Sequence, residues 1–314
     1  MRTAAPPRHG VDAEPSLKSL HPAASRWIGA LIRMTSAHPA MTRILDVIER
    51  LSDHPYRTNF VLLGEPGTGK EGLARALAHL TCPGGPLVRY DASGFPEADA
   101  LALLCGSARR GGLAEAADGG TLLIEEAAGL GPRIQAALLR LLKSGRCERL
   151  GMTPIDSGNG DESVNAHKRD GRRFDVRVIA MSDRDLVGEV AAGTFRHDLY
   201  YRLARVVLTL PPLRERKEDI GPAVIWMGNR ILRAAGAPFD LLGPDDYRQA
   251  TVDERGRAIA LDPTAVRALE DHVWPGNFRE LEAVLERALL MYRRGGRLTG
   301  VEIDAALDRP PSSD

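Results

Sequence analysis

The stretch Asn59–Leu77, NFVLLGEPGTGKEGLARAL, narrows the possible folds more than any other. Phe60, Val61, Leu62 and Leu63 form a short apolar run that ends at Gly64. A glycine-rich turn follows, then Lys70, then an Ala-, Leu- and Arg-rich segment of helical character. Strand, loop and helix in that order, with GxxxxGK over Gly64–Lys70, is the spacing of a phosphate-binding P-loop. Glycines let backbone N–H groups converge on an anion that side chains would keep away. The start of the next helix adds unpaired N–H groups and the positive end of its dipole. Lys70 adds a point charge for the outer phosphates, and only five of the 42 basic residues are lysines. A mere tight turn would leave the strand, the lysine and the helix unexplained. The expected nucleotide contacts are Gly64, Glu65, Pro66, Gly67, Thr68, Gly69, Lys70 and Glu71.

Other features bound the class. At 314 residues, 43% hydrophobic and 27% charged, the chain can bury the core of one large domain or two ordinary ones. A net charge of +0 supplies no global field toward nucleic acid or anionic membrane. No apolar run reaches 18 residues and no charged-then-apolar leader opens the sequence, so the expected compartment is the cytoplasm. Cys82, Cys105 and Cys147 are odd in number and lack a CxxC pair, which predicts a reducing compartment with neither disulfide framework nor zinc site.

In chain order, residues 1–26 are rich in Pro, Ala, Ser and His and predict a disordered arm. From Trp27 the pattern turns helical, with Met41, Ile44, Leu45, Ile48 and Leu51 at three- and four-residue steps. PLVRYD (Pro86–Asp91), TLLIEE within Ala117–Glu126, FDVRVIAMS (Phe174–Ser182) and VVLTL (Val206–Leu210) read as further strands, with a periodic helix at Arg133–Lys143. Buried strands alternating with helices predict an α/β fold with a parallel five-stranded sheet covered on both faces. Ligands on such sheets sit beyond the carboxyl ends of the strands. The P-loop, Glu125, Glu126 and Asp183 all fall at such ends. LPPLRERKED (Leu210–Asp219) marks a boundary, after which helical periods dominate. The expected domains are therefore 27–212 for the nucleotide-binding domain, with an enlarged polar loop at 153–173, and 213–307 for a small all-α lid. Residues 308–314 form a tail.

Hydrolysis of a phosphoanhydride asks for a phosphate cradle, a magnesium ion, an oriented water and positive charge near the γ-phosphate. Successive strand residues point to opposite sides, so Glu125 and Glu126 divide the work. One holds Mg2+ through water, and the other polarises the attacking water.

The ordered segments GEPGTGKE, DGGTLLIEE, VRVIAMSDRDL, FRHDLYYRL with LPPLRERKEDI, and WPGNFRELE resemble the AAA+ domain of sigma-54-dependent transcription activators. The likeness covers roughly Ile28 to Asp304. It implies an ATP-dependent ring, usually a hexamer, that remodels sigma-54 RNA polymerase. By this resemblance Lys70 holds the phosphates and Glu71 starts the P-loop helix. Glu125 is the metal-side acid, Glu126 the water-activating carboxylate and Asp183 the sensor. Arg196 and Arg202 are presented to a neighbouring subunit's ATP, and Arg279 is the lid arginine. By spacing alone Arg196 and Arg202 also fit an ordinary surface pair, and Arg279 a helix salt bridge with Glu282 or Glu286.

The sequence departs from the family pattern in places. LLCGSARRGG stands where the sigma-54-contacting GAFTGA loop is expected, and the polar, Gly-rich 153–173 loop reads by composition as a disordered insertion or, alternatively, as its replacement. Asp91 and Asp183 stand where the family has Asn, and Glu125 where it has Asp. An Asn-to-Asp change removes N–H donors and adds negative charge near phosphates, which predicts retained binding with slower turnover. No helix-turn-helix is recognisable, so specific DNA reading by this chain is not expected. Two readings stay open: an active ring ATPase, and a hydrolysis-poor switch or scaffold subunit, alone or in a mixed ring with a relative.

Overall fold

In the computed structural model the described residues are 38–53, 57–92, 97–107, 110–147, 173–250, 257–292 and 296–307. The expected N-terminal arm, the 153–173 loop apart from Arg173, and the tail lie outside them. Helix α1 (Pro39–Asp53) buries Met41, Ile44 and Ile48 along one face, following the period read from the sequence. The chain divides into two compact units. The first holds Ile48–Leu63 and Glu71–Leu208; the second holds residues 38–47, Gly64–Lys70 and residues 209–307.

The first unit is built from β1 (Phe60–Leu63), α2 (Lys70–Thr81), β2 (Leu87–Asp91), α3 (Glu97–Cys105) and α4 (Leu113–Ala116). Then come β3 (Thr121–Glu125), α5 (Pro132–Ser144), β4 (Arg177–Ser182), α6 (Leu186–Ala191), α7 (His197–Leu203) and β5 (Val206–Thr209). Its strands form the expected parallel five-stranded sheet, in the order β2-β3-β4-β1-β5. All six residues of β4 are buried, whereas the edge strands β2 and β5 alternate in exposure. That contrast is what covering a parallel sheet on both faces produces. The register places Leu63 opposite Ser182 and Asp91 opposite Glu125, so the carboxyl ends of β1, β2, β3 and β4 share one edge.

The reading of the cysteines is corrected. Helices α3 and α5 pack together, and their ends bring Cys105 and Cys147 to a Cα separation of 5.1 Å, joined as a disulfide. The sequence hid this pairing because its members are 42 positions apart and meet only through helix packing. In protein purified without reductant, thiol titration in denaturant is expected to find one reactive cysteine, Cys82, instead of three. Adding reductant is expected to lower unfolding stability by about 2–4 kcal/mol, as for closure of a medium loop.

Beyond Cys105 the chain reverses sharply. Gly106 sits at φ +86°, Ser107 and Arg110 exchange backbone hydrogen bonds of 2.8 and 3.4 Å, and a Cβ on Gly112 would fall 2.4 Å from the Gly106 nitrogen. Gly106 and Gly112 are thus pinched together.

The second unit contains α8 (Ile220–Ala234), β6 (Asp240–Leu242), α9 (Pro244–Gln249), β7 (Ala258–Leu261), α10 (Pro263–Asp271), α11 (Asn277–Arg287), β8 (Arg297–Leu298) and α12 (Gly300–Leu307). Trp274, Leu281, Leu285 and Ile303 are fully enclosed in its core. The lid is helical as expected but not wholly α, because β6, β7 and β8 form a small parallel sheet. Runs of two to four residues (DLL, AIAL, RL) are too short to declare a strand period in sequence. Among the described residues no helix is long and apolar enough to cross a membrane.

Candidate functional site

At the carboxyl edge of the first unit, Glu125 is the last residue of β3, and Glu126 departs from strand geometry. Its φ of 50° and ψ of 52° are left-handed, so strand alternation does not set its direction. A non-glycine residue there costs about 1–2 kcal/mol, a strain that concentrates at functional sites. The turn is held by the Glu126 carbonyl, which accepts from Gly129 N–H at 2.7 Å. Asp183 follows β4 and is exposed.

Glu125 is committed to a neighbour the sequence reading did not include. Arg89, on β2, donates to its Oε1 from Nε at 2.8 Å and from Nη2 at 2.6 Å. Another Arg89 nitrogen, Nη1, lies 3.2 Å from Glu71 Oε1 in the first turn of α2, and Arg75 bonds the same Glu71 oxygen at 3.0 Å.

The P-loop belongs to the second unit. Gly67 and Gly69 adopt φ of +78° and +101°. A Cβ on Gly67 would lie 2.3 Å from the Gly276 carbonyl oxygen, so only glycine fits. The Gly67 carbonyl accepts from Phe278 N–H at 3.0 Å. Lys70 is buried, its Nζ donating to the carbonyls of Gly64 at 2.5 Å and Glu65 at 3.1 Å. Arg214 forms a two-pronged pair with Glu65, at 2.6 and 2.9 Å, and holds that carboxyl below its ordinary range, with Asn277 assisting. Arg216, stacked over Phe278, donates to the Thr68 carbonyl at 2.6 Å; burial pulls its pKa down against the opposing pull of Asp219.

Asn277 is the hub of this cradle. It is fully buried and left-handed (φ 53°), a conformation Asn tolerates better than most residues. Its Oδ1 accepts from Leu213 N–H at 2.7 Å, and its Nδ2 donates to the Pro66 carbonyl at 3.0 Å and Glu65 Oε2 at 3.2 Å. Two residues further on the alternatives for Arg279 narrow, since Glu282 pairs with Arg230 of α8. Arg279 itself is exposed.

The two arginines read as a pair from sequence differ in surroundings. Arg196, the N-cap of α7, is closed on Asp198 by bonds of 3.0 and 3.1 Å, which raises its own pKa and lowers that of the acid. Buried Gln135 of α5 fixes the entry to α7 by accepting the Arg196 N–H at 2.7 Å. Arg202, near the other end of α7, has no side-chain partner among the described residues and is half-buried.

These residues suit a nucleotide's phosphates. Left-handed glycines open the loop backbone, and the 12-residue helix α2 starts at Lys70, so the positive end of its dipole lies at the loop. A magnesium ion held mainly by phosphates and water needs only one or two protein carboxylates. In Glu125, Arg89 grips one carboxylate oxygen, Oε1, and leaves Oε2 out of that pair. Among the described residues, no group of three or more His, Cys, Asp or Glu side chains is placed to hold a metal.

A parallel sheet with a P-loop after its first strand, followed by a helical lid, defines a P-loop NTPase of the AAA+ type. Residues 34–209 match the family model of the sigma-54 interaction domain, and residues 245–314 that of the AAA+ ATPase lid domain. The chain belongs to the sigma-54 interaction domain family. It is 35% identical over 281 residues to the Nif-specific regulatory protein of Azotobacter vinelandii, covering 84% of this chain and 46% of the relative. It is also 35% identical over 269 residues to the response regulator protein FleR of Pseudomonas aeruginosa, covering 82% of this chain and 49% of that one. The structure of NtrX from Brucella abortus in complex with ATP superposes with a TM-score of 0.68 at 27% identity, over 93% of this chain and 60% of that protein. The chain thus spans about half the length of the curated relatives it matches.

Proposed function

We propose that this chain binds ATP and Mg2+ and hydrolyses ATP as one subunit of a cytoplasmic ring, a hexamer by family resemblance. Turnover remodels a protein partner in transcription control, with sigma-54 RNA polymerase the first to test. The observation that carries the reading is the P-loop cradle, where Gly67 is pressed against Gly276 and Asn277 bonds Glu65 and Pro66. Lys70 with the loop amides of residues 64–71 binds the phosphates, and Arg279 reaches them from the lid. Glu126 takes the proton of the attacking water, and Asp183 orients it. The magnesium ion, when bound, neutralises phosphate charge, and Glu125 orients its water shell. Arg196 and Arg202 serve the ATP of the next subunit. The nucleotide-binding domain is assigned to residues 27–212 and the lid to 213–307, with the 153–173 loop as the partner-facing element.

A second reading, a hydrolysis-poor switch or a scaffold in a mixed ring, draws on the Arg89 grip on Glu125 and the Asp198 grip on Arg196. One measurement separates the two: ATPase rate per subunit against protein concentration, with and without sigma-54. A rate that climbs steeply with concentration supports the ring ATPase. A flat line near zero throughout supports the scaffold.

A further inference from the structure

At the amino-terminal edge of the sheet in the first unit lies a cavity of about 510 Å³. Its lining includes four arginines, Arg57, Arg177, Arg202 and Arg205, against a single acidic residue, Asp175. Asp175 is already taken: Arg57 pairs with its carboxylate and donates to its carbonyl at 3.0 Å. Arg177, at the first position of β4, is 3% exposed. It donates from Nη2 to Thr121 Oγ1 at 2.5 Å and Ala78 O at 3.3 Å, while its Nε and Nη1 find no acceptor among the described residues. Burial, aided by the charge of Arg57 and opposed by Cys82, brings its pKa down to about 10.

The other two arginines are positioned but not engaged. Asn59 donates from Nδ2 to the Arg202 carbonyl at 3.1 Å and accepts from Val178 N–H at 2.9 Å, fastening the end of α7 to β1 and β4. The side chains of Arg202 and Arg205 have no ion pair or hydrogen bond among the described residues. A concavity in which one acid faces four cations, and is spent on one of them, is short of negative charge. The planar forks of Arg match the oxygens of a phosphate in two-pronged fashion.

We propose that this cavity is a phosphate-binding site in which Arg205 acts together with Arg202. The oxyanion it takes is either the terminal phosphate of a nucleotide held by a neighbouring copy or that of a free polyphosphate. The first source rests on the ring reading above; the second does not. The geometry also separates Arg202 from Arg196, whose guanidinium is satisfied by Asp198. Arg205 is exposed, so its replacement leaves the core packing unchanged.

The test uses the full chain with Arg205→Ala and Arg205→Lys, alongside Lys70→Ala. Loss of one transition-state donor typically lowers turnover by about 10²–10³-fold, and Arg205→Ala is expected to lose on the order of 10²-fold, with Lys giving partial recovery. In the first arm, Arg205→Ala and Lys70→Ala subunits are mixed. Recovery of ATPase above either alone identifies a neighbour's nucleotide as the ligand. In the second arm, inorganic tripolyphosphate is titrated by calorimetry into Lys70→Ala, whose P-loop is disabled, and into the Lys70→Ala/Arg205→Ala double variant. Binding to the first and at least tenfold weaker binding to the second identifies a free polyphosphate. If mixing restores nothing and tripolyphosphate binds neither protein, or both equally, the proposal is overturned. A wild-type chain without ATPase activity would count against the ring reading alone, since the tripolyphosphate arm still decides the site.

Discussion

Glu126→Gln is expected to lower ATP turnover by about 10²–10⁴-fold, the usual contribution of a general base, while nucleotide binding stays within a few-fold of wild type. The substitution keeps the size of the side chain and the left-handed turn after β3, where the Glu126 carbonyl is bonded to Gly129. The ability to take a proton is removed together with the negative charge. Binding affinity and single-turnover hydrolysis, measured on the same preparation, separate the two effects. Retention of more than a tenth of the wild-type rate would remove Glu126 from the role of base. Asp183 offers no substitute, because it is an exposed carboxylate on the neighbouring strand's exit and carries the sensor role in this reading.

The second large effect concerns stability. Asn277→Ala is expected to lower the unfolding free energy by about 3–5 kcal/mol. It removes the acceptor for the buried Leu213 N–H and the donor to the Pro66 carbonyl. It also places a Cβ-bearing residue without a local side-chain bond at φ 53°. Asn277→Gly divides the total: glycine relieves the backbone contribution of about 1 kcal/mol but restores none of the hydrogen bonds. Urea denaturation of the three proteins reads the comparison directly. The hub role fails if alanine costs less than about 1 kcal/mol, the worth of an ordinary hydrogen bond. Weaker ATP binding is expected to accompany both variants, since Glu65 and Pro66 lose their tether.

Local chemistry made the first half of this structure readable. The P-loop declares itself within eight residues, and the continuous Val, Ile and Leu runs of β3 and β4 announce strands buried on both sides. What remained hidden depends on distant partners. The charge run of Leu210–Asp219 reads as a solvated boundary, yet Arg214 reaches Glu65 across 149 positions and Arg216 reaches Thr68 across 148. Nothing within the run reveals those acceptors. Arg89 on an edge strand reads equally as a surface cation until the register sets β2 beside β3. The WPGN turn held the clearest unused signal, an Asn after Gly at the start of a helix, where left-handed backbone is most readily accommodated. Strand order and the cysteine pair arise from packing, to which a local period is blind.

Arg89 stands between two acids, one opening the P-loop helix and one closing the third strand. A single guanidinium divided this way makes Glu71 and Glu125 rivals. Whatever draws Glu125 toward another cation frees Arg89 to tighten on Glu71, and whatever neutralises Glu71 deepens the hold on Glu125. Ion chemistry at the strand exit and the footing of the helix are therefore joined through one guanidinium.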